Sequence, residues 1–311
     1  MPLFQNPDQI SPDQINKHDR YITSRSRCIQ FEIQAALIPD QNKFEYQSAP
    51  ELVRTVQGFL NSQSAEEYSV YFHGISDTEC EAIKGELRAA GIMRTVRFTF
   101  ENTLNASILR IRPGPDHHMI AAMFAYEFTK KMASIPGHTE DSVSCFGSTR
   151  FWIPGVRSKE GDQGFRPRTR CGREAWPSVM VEIGYSEGMD FLRLDAEWWL
   201  INSNDRTRFV ILIEMESHPF VLRIECWMIA ETGRRQTRQT PGRFPRCVQD
   251  FEIDETGAVV STMGSTELEI PYDAIFDDYD PKSPLPPPPP ARFSFLELSR
   301  FAVKMFQDLK Y

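Results

Sequence analysis

An apolar segment that carries a single acid constrains the fold of this chain more than any other feature. Residues 179–183 read Val-Met-Val-Glu-Ile and come shortly after Pro177. Short β-branched runs that follow a proline are typical of buried strands. The acid, Glu182, stands near the end of the run, where burial is costly unless the charge is paired or binds a cation. The segment therefore predicts a buried strand with a polar site at one end.

A second acid, Asp162, lies upstream on or beside another short extended segment. If the two segments are neighbouring strands, Asp162 and Glu182 provide the oxygen ligands that hard cations such as Mg²⁺ and Mn²⁺ prefer. The alternative is a structural network in which both acids pair with nearby arginines. The residues alone leave both interpretations open.

The order of the predicted elements adds to this pattern. A helix over residues 115–133 precedes three short strands, a helix over 189–202 and a further strand, with Asp162 on the second of the three strands and Glu182 on the third. This order resembles the core of the PD-(D/E)xK nucleases, the restriction-endonuclease-like fold. The matching motifs are Lys-Glu-Gly-Asp at 159–162, Glu-Ile-Gly-Tyr-Ser-Glu at 182–187 and Leu-Asp-Ala-Glu-Trp-Trp at 194–199. The resemblance covers residues 116–229; within the superfamily the chain looks most like fungal proteins without an assigned activity and, more distantly, like the Uma-type restriction endonucleases.

The resemblance implies a metal-dependent nuclease, a hydrolase in which Asp162 and Glu182 are the catalytic acids and hold Mg²⁺ or Mn²⁺. Two positions depart from the family pattern. The proline of the first motif is Gly161 in this chain, and the lysine of the second motif is Gly184. In the family that lysine can move to a neighbouring element, and Lys159 is then the candidate for its catalytic role.

Other residues receive supporting roles from the same resemblance. Ser186 and Glu187 would hydrogen-bond the metal ligands, and Glu127 on the first helix would be a further acid at the metal. His117 and His118 stand in the first turn of that helix. They would be either metal ligands or ordinary histidines at the edge of the core.

Arginines are concentrated in two segments of the chain. Arg166 and Arg168 belong to the first, residues 163–177, which we interpret either as a solvated loop or as a loop that contacts phosphate beside the metal. The second covers residues 234–246 and predicts an exposed loop. Arg193, on the helix that follows Glu182, is a weaker candidate for the displaced lysine.

Composition restricts the classes of function. The chain has a formal net charge of −8 and a pI of about 5.4, so a nucleic-acid partner would need a local basic patch. The six cysteines are dispersed without zinc-site spacing, and residues 1–7 show no secretory pattern, so we expect reduced thiols in an intracellular protein, cytoplasmic or nuclear. No apolar run is long enough for a membrane span.

Phosphate-binding loops, dinucleotide fingerprints and the GxSxG motif are absent from the sequence. Their absence argues against nucleotide hydrolysis, dinucleotide-dependent redox chemistry and serine esterase chemistry.

The predicted fold is α/β (α+β), with a central mixed sheet flanked by helices. We expect a polar arm over 1–27, an N-terminal α/β elaboration over 28–112, the nuclease-like core over 113–230, a β-rich extension over 231–280, a polyproline spacer over 281–292 and a docking helix over 293–311. Periodicity leaves 28–38 as helix or strand. Residues 208–216 and 220–227 predict a hairpin at the sheet edge with its turn at 218–219. The polyproline run could instead bind a protein partner that carries an SH3 or WW domain.

Three functional hypotheses follow. The first is metal-dependent phosphodiester hydrolysis by Asp162, Glu182 and Lys159. The second is a catalytically inactive nuclease fold that binds nucleic acid or a protein partner, because fold does not fix function. The third gives Asp162 and Glu182 a purely structural role.

Overall fold

The computed structural model describes residues 24–62, 68–111, 116–172, 175–185, 188–217, 219–231, 243–280, 282, 286 and 288–309. Within them the chain is a mixed α/β protein. The helices are α1 (Ser24–Leu37), α2 (Ala49–Leu60), α3 (Asp77–Ala89), α4 (Asp116–Met132), α5 (Met189–Asn202), α6 (Tyr272–Ile275) and α7 (Phe295–Leu309). The strands are β1 (Lys43–Glu45), β2 (Tyr68–His73), β3 (Val96–Glu101), β4 (Ala106–Ile111), β5 (Val143–Phe146), β6 (Arg150–Ile153), β7 (Arg157–Glu160), β8 (Gln163–Pro167), β9 (Val179–Tyr185), β10 (Phe209–Ser217), β11 (Phe220–Glu231), β12 (Arg243–Asp254), β13 (Val259–Val260), β14 (Glu267–Ile270) and β15 (Ala291–Ser294).

The first sheet has the strand order β1-β2-β4-β3-β7-β6. Helices α2 and α3 cover one of its faces, where Val56 and Leu87 pack with the strand residues Phe98 and Leu109. Strand β3 alternates apolar and polar residues, and all six are buried. A second layer must therefore cover the polar face of this sheet as well.

The second sheet has the order β13-β12-β11-β10-β9-β8-β5, and β9 and β10 run parallel across the connection made by α5. Alternate residues of β9 point to opposite sides of the sheet. Val181 and its odd-numbered neighbours pack in the cluster that contains α4 and α7, whereas Met180 packs with Trp199 of α5. Glu182 shares the face of Met180 and so lies on the side of α5.

The structure corrects the predicted position of the hairpin. Strands β10 and β11 pair as predicted, but β10 also pairs with β9 and β11 with β12. The hairpin therefore lies inside the sheet and not at its edge. The reason is that β12 continues for twelve residues from Arg243, so Arg243 and Arg246 are strand residues and not part of an exposed loop. Residues 232–242 and His218 lie outside the described residues.

The predicted boundary at residue 112 does not separate two sheets. Strands β6 and β7, which belong to the predicted core, pair with the N-terminal strand β3. The first sheet therefore contains strands from both sides of the boundary. The chain then continues from β7 directly into β8 of the second sheet, so the single predicted central sheet is in fact two sheets that share one stretch of chain.

The two ends of the described chain are helical. Helix α1 covers residues assigned to the polar arm as well as the ambiguous segment 28–38. Helix α7 packs on the core through an apolar face that includes Phe301 and Met305, as the docking prediction expected. Strand β15 takes residues 291–292 of the predicted spacer into a pair with β14, while residues 281, 283–285 and 287 lie outside the described part. Among the described helices, none has the length and apolarity that a membrane crossing needs.

Candidate functional site

The chain crosses from the first sheet to the second at Gly161 and Asp162, which connect β7 to β8. The crossing is tight, because a Cβ atom on Gly161 would overlap the end of Met180 and lie 2.8 Å from the ring of Trp199. A proline or any other larger residue would have to displace these side chains. Packing therefore explains why a glycine stands at position 161, where the resemblance would place a proline. Asp162 lies in the connection and not on the second strand.

Asp162 is held by groups from three different elements. Its Oδ2 atom accepts a hydrogen bond from the backbone N–H of Ile183 on β9, at 2.9 Å. Its Oδ1 atom lies 3.3 Å from Nε2 of His117, in the first turn of α4, and 3.7 Å from Nε of Arg97 on β3. The carboxylate is fully buried. Asp162 thus joins α4, β3 and β9 at the point where the two sheets meet.

Glu182 lies in the middle of β9 and is fully buried. Its Oε1 atom accepts a hydrogen bond of 2.5 Å from the indole N–H of Trp199 and lies 3.9 Å from Nζ of Lys159. Its Oε2 atom is 3.7 Å from Arg110. Burial raises the pKa of Glu182 well above its usual range; Lys159 and Arg110 lower the pKa, and Asp162 and other nearby carboxylates raise it. Desolvation therefore disfavours the charged form of Glu182.

A third carboxylate, Asp195 of α5, binds the cations around Glu182. Nζ of Lys159 lies 2.7 Å from its Oδ1 atom, and Arg110 donates to its Oδ2 atom at 2.8 Å. Gln34 of α1 also donates to Oδ1, at 2.6 Å. Arg110 reaches β9 as well, through a hydrogen bond of 3.2 Å to the carbonyl of Ile183. The predicted displaced lysine therefore lies near Glu182 but forms its short contact with Asp195.

We name these side chains the central charge cluster. Its members are buried acids, cations and one histidine contributed by α4, α5 and strands of both sheets: Arg97, Arg110, His117, Lys159, Asp162, Glu182 and Asp195. Three acids face three cations, so the formal charges balance when the histidine is neutral. Groups buried to this degree are tolerated only when their charges and hydrogen bonds are compensated. The charges of the cluster meet this condition, although Oε2 of Glu182 accepts no hydrogen bond from the described residues. The cluster connects the two sheets across their interface.

Arg97, Arg110 and Asp195 were not among the predicted catalytic residues, although the sequence carries a signal for two of them. Arg97 lies on the polar face of β3, which alternates apolar and polar residues, and Arg110 is the one charged residue of the mostly apolar strand β4. Such alternation is usually read as one dry and one solvated face. Here the polar face is buried against α5, and only the packing of the two sheets reveals this.

Several predicted site residues lie elsewhere. Glu127 lines a groove between α4 and α7, ten residues and therefore about 15 Å along the helix axis from His117. Arg166 donates to the carbonyl of Ala175 at 2.8 Å and lies over the ring of Phe146. Arg168 is exposed and pairs with Asp141 at 3.5 Å. None of these contacts reaches Asp162 or Glu182.

The segment after Glu182 is tightly packed at Gly184, the position at which the resemblance would place a lysine. A Cβ atom on Gly184 would lie 3.0 Å from Cδ1 of Leu192, so α5 packs where that side chain would begin. Arg193, the weaker candidate, turns away to Glu225 at 2.5 Å and Asp190 at 2.8 Å. Ser186 and Glu187 lie outside the described residues, and their predicted supporting role stays a prediction.

Two observations bear on whether the cluster fits a divalent cation. Oε2 of Glu182 is buried and accepts no hydrogen bond from the described residues, as expected for a potential ligand oxygen. The second observation argues against a metal, because Lys159 and Arg110 already lie within 4 Å of Glu182 and Arg97 lies within 4 Å of Asp162. In the described part of the chain, no group of three His, Cys, Asp or Glu residues is arranged to hold a metal. In this arrangement the cluster fits its own cations better than it fits Mg²⁺ or Mn²⁺.

Comparison with known proteins adds no assignment. No protein-family model matches the chain, and a search of curated proteins finds no significant match. The site must therefore be interpreted from its own geometry.

Proposed function

We propose that this protein is a nuclease-type fold that binds its partner without cleaving it, and that the central charge cluster joins its sheets. One observation carries the proposal. Asp162, Glu182 and Lys159, which would carry out hydrolysis, are at most 1% exposed in their side chains and are paired with other protein groups. Each of the charges that a metal or a phosphate would need is already engaged.

The position of the cluster supports the same conclusion. Hydrolysis requires the scissile phosphate to come within bonding range of a metal ion and its activated water. Helix α5 covers the side of β9 that bears Glu182, and Arg110 extends from β4 into the space between Glu182 and Asp195. A substrate could reach Glu182 only if the two sheets separated and these ion pairs broke. Breaking one buried pair costs about 3–5 kcal/mol.

The proposal is tested by measuring cleavage of single-stranded and double-stranded DNA and RNA with Mg²⁺ and with Mn²⁺. The wild type is compared with Asp162→Asn and Glu182→Gln, which remove one charge each and keep the side-chain shape. We expect equal background cleavage for all three proteins. We also expect both variants to unfold at lower urea concentration than the wild type, because each leaves a buried cation with less compensation.

A second candidate function is metal-dependent phosphodiester hydrolysis. It is favoured by the convergence of Asp162, Glu182 and Lys159 in one cluster and by the buried Oε2 atom of Glu182 that accepts no hydrogen bond from the described residues. Cleavage by the wild type that depends on added metal and disappears in both variants would establish this function and refute the non-catalytic proposal. Lys159→Met would then test the displaced lysine.

A further inference from the structure

A cleft of about 430 Å³ opens on the first sheet between α3, the turn that precedes β3 and the first turn of α4. We name it the basic cleft. Its titratable lining residues are Lys84, Arg88, Arg94, Arg97, His118 and Glu160. Four permanent cations and one acid give its lining a formal charge of +3 with neutral histidine, in a chain whose net charge is −8. Positive charge is therefore concentrated here against the overall balance of the protein.

The inner part of the basic cleft is neutralised by the protein itself. Lys84 forms a close ion pair with Glu160, and both side chains are buried. Arg97 is held by Asp162 at 3.7 Å and donates to the carbonyl of Arg94 at 2.9 Å. These two cations form a fixed wall whose charge is mostly compensated.

The rim of the basic cleft is different. Arg88, in the last turn of α3, and Arg94, in the turn before β3, are both exposed. Within the described ranges, neither guanidinium forms an ion pair or a side-chain hydrogen bond. Two other exposed arginines, Arg168 and Arg243, do have an acidic partner. The two rim arginines thus present hydrogen-bond donors and charge toward the open side of the cleft.

This arrangement suits phosphate. Guanidinium groups match the geometry of phosphate oxygens and can donate two parallel hydrogen bonds to them. The hydroxyl of Ser148 and the side chain of Met93 also line the cleft, which adds a further donor and an apolar surface for a sugar or a base. A single inorganic ion would leave most of a cavity of this size unfilled, whereas a chain of linked phosphates would extend along the rim.

We propose that the basic cleft binds the phosphodiester backbone of nucleic acid, with Arg88 and Arg94 as the contacts that set its affinity. The inference rests on the proposed non-catalytic binding role and names its ligand. It assigns the contact to the N-terminal part of the chain and not to the arginine-rich segment 163–177. That segment begins as strand β8, and its Arg166 and Arg168 are occupied by other groups.

The test measures fluorescence anisotropy of labelled single-stranded and duplex oligonucleotides of about 20 nucleotides, in EDTA so that cleavage plays no part. The cleft variant is Arg88→Glu with Arg94→Glu. The control is Arg54→Glu with Arg300→Glu, which makes the same change of net charge at two exposed helical arginines outside the cleft. Circular dichroism and urea unfolding establish that both variants fold, and Arg88→Gln with Arg94→Gln is the milder alternative.

At about 50 mM salt we expect the cleft variant to bind at least tenfold more weakly than the wild type, and the control to stay within about twofold. The slope of log affinity against log salt should fall by about 1.4–1.8, which corresponds to two lost phosphate contacts. Unchanged binding by the cleft variant, an equal loss in the control, or no oligonucleotide binding by the wild type would overturn the proposal. Binding of pyrophosphate without binding of oligonucleotides would overturn the nucleic-acid assignment.

The experiment separates this inference from the proposed function. If the wild type cleaves nucleic acid with Mg²⁺ and the cleft variant still loses affinity in EDTA, the non-catalytic role fails and the basic cleft stands. If neither cleavage nor binding occurs, the basic cleft fails while the structural role of the central charge cluster is unaffected.

Discussion

The Asp195 carboxylate should be the most costly single charge to remove from this protein. It accepts from Lys159 at 2.7 Å, Arg110 at 2.8 Å and Gln34 at 2.6 Å, and its side chain is 1% exposed. Asp195→Asn keeps the shape but replaces one oxygen by an amide nitrogen, which is a donor. In either orientation that nitrogen faces a group that itself donates, so at least one contact turns from attraction to repulsion.

The size of the loss follows from the contacts. Removing one partner of a buried ion pair costs about 3–5 kcal/mol, because the other charge is left uncompensated. Two cations lose their nearest partner here, but Glu182 lies 3.9 Å from Lys159 and 3.7 Å from Arg110 and offers partial compensation. We therefore expect a loss of about 3–4 kcal/mol in the free energy of unfolding, out of a total of about 5–15 kcal/mol.

Urea unfolding followed by tryptophan fluorescence measures this loss. With a slope of about 3 kcal/mol per M, the midpoint should fall by about 1 M. The matched control is Asp190→Asn on the same helix, whose carboxylate is 82% exposed and pairs with Arg193 at 2.8 Å. Its loss should stay below about 1 kcal/mol. A midpoint shift for Asp195→Asn no larger than that of Asp190→Asn would refute the view that the cluster holds the sheets together.

Two further predictions concern other contacts of the fold. The bidentate hydrogen bonds from Arg170 lower the pKa of Asp277, so its contribution to stability is present above the unfolded pKa of about 3.9 and is lost as pH falls through the folded value. The free energy of unfolding of Asp277→Asn, measured with urea, should therefore be lower than that of the wild type by a constant amount of about 1 kcal/mol from pH 7 to about pH 5. Below about pH 4 the two free energies should converge. A difference that persists in acid would contradict the assignment of this stability to the ionised Asp277 carboxylate. Gly161→Ala should lower the free energy of unfolding, measured by thermal unfolding, by about 1–3 kcal/mol, because the added Cβ would lie 2.8 Å from Trp199. The control Gly58→Ala, where a Cβ meets open space in a helix, should be neutral or stabilising. Equal effects of the two substitutions would show that the crossing at Gly161 is not tightly packed.

Much of the fold could be predicted from local patterns, and the reasons are visible in particular elements. Helices α4 and α5 match the predicted bounds of 115–133 and 189–202 to within one residue, because each begins directly after a helix-breaking residue, Pro115 and Gly188. Periodicity left residues 28–38 as helix or strand because α1, which packs against α5, has only weak amphipathic character. The position of the hairpin at the edge was wrong because a strand's neighbours depend on distant segments, here β12.

The candidate site was predictable only in part. Asp162, Glu182 and Lys159 do converge, because β7 and β9 flank the short crossing between the sheets. The identity of their partners was not predictable, since Arg97 and Arg110 come from strands more than fifty residues upstream of Asp162. A sequence pattern shows which residues share one face of a strand, but not whether solvent or a second sheet covers that face. Whether the acids serve chemistry or structure depends on that covering layer.

The passage of the chain from β7 into β8 has a consequence for how this protein can be divided. Strand β7 completes the sheet built by the N-terminal residues, and two residues later the same chain enters the sheet built by the C-terminal ones. A fragment that starts near residue 113 would carry β6 and β7 without the partner edge offered by β3, and a fragment that ends there would leave β3 open and prone to pair with other molecules. Neither half can be moved into another protein as an independent domain. Expression trials, gene fusions and truncation series should therefore treat the two sheets as one cooperative unit.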